Sequence, residues 1–148
     1  MEQKYEALRL RNQLCFPLYL CSKEMTRRYQ PLLDKLDLSY TQYVVMMYCW
    51  EMGGGSAKDI SRALLLDPST LTPILRKLER KGYLTRARDP ADERSLSIRL
   101  TDAGLALRDQ ALCLPDQTGS CFGLTEEEAA ELYRLTRKAA EHLCAGRP

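Results

Sequence analysis

The chain has 148 residues, 45% hydrophobic and 28% charged, with eight glycines and a formal net charge of +2. That length buries a real core in one domain with appended helices, and the composition is that of a folded, helix-leaning chain rather than a disordered or fibrous one. No apolar run approaches the ~20 residues that span a bilayer. The charged start MEQKYEALRLRNQ lacks an apolar signal-peptide core, so a cytoplasmic protein without a membrane partner is expected.

The first long helix is expected from about Gln13 to Leu36, where Leu14, Leu18, Cys21 and Met25 recur at three- and four-residue steps and Asn12 is a candidate N-cap. Leu38-Ser39-Tyr40-Thr41 then breaks the pattern, and Ser39 or Thr41 caps a second helix, TQYVVMMYCWE. Its near-continuous apolarity predicts burial on most sides. Gly53-Gly54-Gly55 ends it, and SAKDISRALLL makes a short third helix. Asp67-Pro68 supplies an N-cap with proline at the first helical position of a fourth. In that helix Leu71, Ile74, Leu75 and Leu78 form one buried stripe, while Ser69, Thr70, Thr72, Arg76, Lys77 and Arg80 lie away from it. Pro73 cannot donate its backbone hydrogen bond, which predicts a bend or a carbonyl left to water.

Gly82 stops the fourth helix, and YLTRAR and SLSIRL follow as alternating strand-like segments around the turn Asp89-Pro90-Ala91-Asp92. DAGLALRDQALC is expected to be helical and LPDQTGSCFG a loop. Thr125-Glu126-Glu127-Glu128 reads as a capping box opening a last helix towards Cys144, with Leu132, Leu135, Ala139 and Leu143 as its apolar stripe.

Six cysteines in a reducing compartment are expected to be thiols. Neighbouring cysteines lie at least six residues apart and His142 is the only histidine, so neither the C-x-x-C spacing of a zinc site nor any other cofactor site is present in the sequence. Cys21, Cys49, Cys144 and His142 read as filler.

Helix, short turn, helix and hairpin is the order of a winged helix-turn-helix, a mainly α fold with a small β-hairpin wing (α+β), whose second helix enters the DNA major groove. Charge placement agrees. Arg76 to Arg99 holds eight basic residues against four acids, a local excess of +4 in a chain of +2. Hydroxyls of Ser69, Thr70 and Thr72 suit base edges or phosphates, and Arg76, Lys77 and the hairpin's Arg86 suit guanine or phosphate. The partner is therefore double-stranded DNA, and an enzyme is not expected.

The segment LLLDPSTLTPILRKLERKGYLTRARDPADERSLSIRLTDAG resembles the DNA-binding core of the MarR family of bacterial repressors. The resemblance implies that Arg94, in Asp92-Glu93-Arg94, enters the minor groove while Asp92 helps hold the wing. It also implies a homodimer on a near-palindromic operator. Residues 12–36 and 102–148 would supply the dimerisation helices, and residues 37–101 the winged helix-turn-helix.

Cys15 and Tyr19 are i, i+4 neighbours on one helix face. Tyr29 returns to nearly the same face fourteen residues on, but roughly 21 Å further along the axis. NQLCFPLYLCSKEMTRRYQPLLDKLDLSYTQY resembles the sensing segment of the organic hydroperoxide repressors (OhrR), a thiol-sensing MarR branch. That likeness implies Cys15 as the redox-sensing residue, hydrogen-bonded to Tyr29 and Tyr40 of the partner subunit, with Tyr19 beside it. An organic hydroperoxide is then the oxidant signal, and apolar Leu14, Phe16 and Leu18 suit its tail. A position near the helix start favours a thiolate, the form that peroxides oxidise. Cys121, similar to the resolving position of the two-cysteine subtype, is the candidate resolving thiol, with Cys113 the runner-up. The alternative is a MarR-type repressor released by a small aromatic ligand, with Cys15 inert. A thiol peroxidase and a pure interaction module leave the arginine-bearing hairpin unexplained.

Overall fold

The structure, a computed structural model, describes residues 2–89 and 92–146, without the side chains of residues 2, 3, 89, 92–94, 116–118 and 120. The chain divides into two compact units, residues 1–40 and 41–148.

The first unit holds two short 3-10 turns, Glu2–Leu8 and Leu10–Asn12, followed by the twenty-residue helix α1, Cys15–Asp34. Asn12 does not cap α1. Its amide turns back to donate to the Glu6 carbonyl (2.8 Å) and carboxylate (3.3 Å), leaving Leu14 at the N-cap with no side-chain cap. The helix therefore starts two residues later than Gln13, with Cys15 as its first residue. Pro17 in the first turn costs no helical hydrogen bond, because amides there have no intrahelical acceptor. At the other end Leu33 is buried, whereas Leu14 (76% exposed) and Tyr19 (62%) stand in solvent.

The second unit is built on helix α2, Tyr40–Met52, whose Tyr43, Val45, Met46 and Cys49 are buried. Strand β1, Gly54–Ser56, unforeseen in the sequence, follows at once. Gly54 (φ +115°) lies so close to the Ile98 carbonyl that any side chain there would collide with it, which is why a glycine run becomes a strand edge. Helix α3, Ala57–Leu64, is capped by Ser56, whose hydroxyl accepts from the Asp59 amide (3.0 Å). Leu65 in left-handed conformation (φ +53°) turns the chain into helix α4, Pro68–Arg80, with Asp67 at its N-cap.

The expected stripe of α4 is buried: Leu71, Ile74, Leu75 and Leu78 pack inward, and the helix runs unbroken through Pro73. Gly82 (φ +77°) reverses the chain into strands β2, Leu84–Asp89, and β3, Asp92–Leu100. The sheet has three strands in the order β1-β3-β2, all antiparallel, with Ile98 of the central strand fully buried. Helix α5, Asp102–Ala111, is capped by Thr101, and the Trp50 indole donates to the Gly104 carbonyl at its first turn (2.8 Å).

LPDQTGSCFG is not a loop. Helix α6 spans Cys113–Gly119, and a 3-10 turn, Ser120–Phe122, follows it. Pro115 sits in the first turn of α6, where proline is tolerated, and buried Leu114 anchors it, so a polar proline-containing stretch folds as helix. Helix α7, Glu126–Ala145, opens with the expected capping box: Thr125 accepts from the Glu128 amide (3.2 Å) and Glu128 accepts from the Thr125 amide (2.9 Å). None of its residues is buried. Among the described residues no helix is long and apolar enough to cross a membrane.

Leu78→Ala removes a fully buried side chain from the stripe that seats α4, and is expected to cost about 2–5 kcal/mol in denaturant unfolding. A loss below about 0.5 kcal/mol would show that the stripe does not seat the helix.

Candidate thiol site and nucleic-acid interface

Cys15 is exposed and begins α1, at the positive end of the helix dipole. Its neighbours Leu14, Phe16 and Leu18 are exposed apolar residues. An open groove of about 440 Å³, lined by Leu10, Arg11, Asn12, Gln13, Leu14, Phe16 and Pro17, runs beside them. Tyr19 stands one turn on, also exposed.

Tyr29 and Tyr40 meet elsewhere. Their rings stack edge to face with centroids 5.3 Å apart at 67°, both half-buried, and burial together with Tyr29 raises the Tyr40 phenol above its ordinary value. Because α1 is continuous from Cys15 past Tyr29, its rise separates the thiol from this pair by about 21 Å. The structure thus brings together two of the three expected tyrosines and leaves the thiol with the third.

All six cysteines are thiols and five have solvent access. Cys121 lies in the 3-10 turn after α6, exposed, and Cys113 starts α6, also exposed, with its sulfur 3.7 Å from the Gln110 carbonyl. Cys49 is the exception, since burial pushes its thiol up to about 11. Among the described residues no cluster of His, Cys, Asp and Glu could hold a metal ion.

On α4 the side opposite the buried stripe is open. Ser69, Thr70, Thr72, Arg76, Lys77 and Arg80 are all exposed. The Thr72 hydroxyl donates to the Pro68 carbonyl (2.8 Å), and its oxygen can still accept. Arg86 differs from the others. Its Nη2 lies 2.7 Å and its Nε 2.8 Å from Glu79 Oε2, and its backbone N–H donates to Glu79 Oε1 (3.2 Å), joining the start of the wing to the last turn of α4. That hydrogen-bonded pairing holds the Glu79 carboxyl below its ordinary value. Asp92 and Arg94, expected at the wing tip, have side chains outside the described residues. Glu79 escaped the sequence reading, although a signal was there: it is the only acid in residues 68–88, among six basic residues.

A helix-turn-helix with an exposed hydroxyl-and-arginine face, followed by a β-wing, defines a winged-helix transcriptional regulator rather than an enzyme. The MarR family model matches residues 38–96. The chain is 42% identical over 135 residues to the organic hydroperoxide resistance transcriptional regulator of Bacillus subtilis, covering 91% of this chain and 90% of that one. It belongs to the MarR family. Among solved structures it resembles reduced AbfR bound to DNA (TM-score 0.79, 33% identity, covering 97% of this chain and 99% of that one). It also resembles disulfide-formed AbfR (TM-score 0.64, 33% identity, covering 93% and 97%); AbfR is from Staphylococcus epidermidis.

A thiol near 11 is only roughly one part in ten thousand thiolate at neutral pH. Iodoacetamide at pH 7 is therefore expected to label Cys49 last of the six, by peptide mass spectrometry, and to label it readily once the protein is unfolded. Labelling of native Cys49 at the rate of Cys15 would contradict its burial.

Proposed function

We propose that the chain acts in the cytoplasm as a homodimeric repressor that holds near-palindromic operator DNA while Cys15 is reduced and releases it when an organic hydroperoxide oxidises that thiol. The observation that carries this reading is the division of the site along α1: an exposed thiol with Tyr19 at one end, and the Tyr29–Tyr40 pair about 21 Å away at the other. Two α1 helices packed antiparallel place each thiol against the other chain's tyrosine pair, giving two complete sites per dimer. Exposed apolar residues on α1 and on α7, where Leu132 (40%), Leu135 (48%) and Leu143 (74%) stand open, supply area for such packing. The relatives support the same reading, one named for organic hydroperoxide resistance and the other solved reduced on DNA and in a disulfide form.

In the chemical step the Cys15 thiolate attacks the terminal peroxide oxygen. An S–O bond forms, the O–O bond breaks, and the alkoxide leaves as the alcohol after taking a proton, so sulfur is oxidised to the sulfenic acid and the peroxide reduced. The exposed groove beside Leu14 and Phe16 accepts the alkyl part. Attack on the sulfenic sulfur by the Cys121 thiol then gives a disulfide and water. Oxidation removes the hydroxyl partners of the thiolate and shifts the two DNA-reading units relative to each other. A thousandfold loss of affinity needs only about 4 kcal/mol. In the reduced dimer Ser69, Thr70, Thr72, Arg76 and Lys77 read the major groove, and Arg94, held by Asp92, enters the minor groove.

Stoichiometric cumene hydroperoxide is expected to abolish operator binding of the parent protein in a mobility-shift assay and to leave Cys15→Ser bound. Cys121→Ser is expected to stop at the sulfenic acid, trapped with dimedone, and to show no disulfide-linked dimer on a non-reducing gel. Release of DNA from oxidised Cys15→Ser would refute the sensing role. A disulfide that persists in Cys121→Ser moves the resolving role to Cys113.

A further inference from the structure

We propose that Glu79 is the residue that gives this regulator its discrimination between operator and other DNA, acting as a positioning residue through Arg86 rather than by touching a base. The inference rests on DNA binding by α4 and the wing.

A carboxylate is out of place on this surface. Residues 68–88 carry six cations and one acid, and that acid lies on the helix whose outer face is otherwise hydroxyls, Arg76, Lys77 and Arg80. Left alone, Glu79 would repel phosphates. It is not alone: both of its oxygens are engaged by one residue, Oε2 by the guanidinium at 2.7 and 2.8 Å and Oε1 by the Arg86 backbone N–H at 3.2 Å.

The backbone contact matters most, because a side chain of α4 thereby holds the main chain of β2 as well as a flexible arginine. Arg86 pairs with Ile98 across the sheet, and Ile98 is fully buried, so the clamp reaches from the recognition helix to the central strand. The angle between α4 and the wing decides whether both can enter adjacent grooves together.

The clamp also silences a charge. Among the described cations of the hairpin Arg86 is the least exposed, its side chain 22% accessible, and its charge is neutralised at short range. Non-specific affinity comes from phosphate neutralisation, at about 0.9 in salt slope for each phosphate contact. A neutralised Arg86 adds nothing to that. Removing the carboxylate releases both constraints: the wing loosens, and a mobile cation becomes available to any phosphate.

The test uses the full-length reduced protein, the best-enriched duplex from a random-sequence selection with the parent, and a pooled random duplex. Binding is followed by fluorescence anisotropy across salt concentrations, with thermal melting as the folding control. Glu79→Ala is expected to bind random duplex more tightly, with a salt slope steeper by about one, and to lose about tenfold of the operator-to-random ratio. Arg86→Ala is expected to lose the ratio without steepening the slope, and Arg86→Lys, which cannot form the forked contact, not to restore it. An unchanged ratio in Glu79→Ala, in protein that melts like the parent, overturns the proposal. So does a slope shallower by about one in Arg86→Ala with the ratio intact, which would make Arg86 a direct phosphate contact. A parent that enriches no sequence at all would instead bring down the DNA-binding reading beneath it.

Discussion

An α-helix is a ruler, and the rest of this protein's chemistry hangs on the one that starts at Cys15. Twenty residues of unbroken helix hold the thiol and the Tyr29–Tyr40 ring pair at opposite ends. No side-chain rotation closes a gap of that size, since a tyrosine reaches only about 6–7 Å from its Cα. The N-terminal half of the helix is correspondingly bare, with Leu14, Cys15, Phe16, Leu18 and Tyr19 all exposed, while Leu33 near the far end is fully buried. The exposed thiol and the tyrosine pair are thus separated along one rigid element.

The DNA-reading unit obeys a different constraint. Four leucine and isoleucine side chains of α4 are buried, which leaves only one face of the helix for the outside, and the hydroxyls and cations fall on it. The wing is fixed to that helix by the Glu79–Arg86 contact and to the sheet by β3, with β1 closing the other edge. A basic residue count therefore overstates the positive surface. Arg86 has its charge paired with Glu79 in the contact that joins α4 to the wing.

Much of this was legible in the residues. The α4 stripe, the proline at its first turn, the stop at Gly82, the hairpin and the Thr125 capping box all follow from local rules that need no distant contact. What was not legible depended on such contacts. Asn12 is a good capping residue by type, yet Glu6 claims its amide. The stretch after Cys113 looks like a loop until Leu114 is buried. Gly53-Gly54-Gly55 reads as a terminator, yet Gly54 and Gly55 enter strand β1, where Gly54 lies too close to the Ile98 carbonyl for any side chain.

Taken alone, the sequence determined which residues could carry chemistry and how far apart they lie along α1, because helical periodicity and rise are properties of the backbone and do not wait for packing. It also determined which face of α4 would be buried, through the spacing of its leucines. Only the tertiary structure decided which partner each side chain takes: that the Asn12 amide serves Glu6, that the Tyr29 ring packs on Tyr40, and that Arg86 is held by Glu79. Partners of that kind come from chain segments brought together by folding, and their choice is settled by competition among nearby donors and acceptors, which no local pattern encodes.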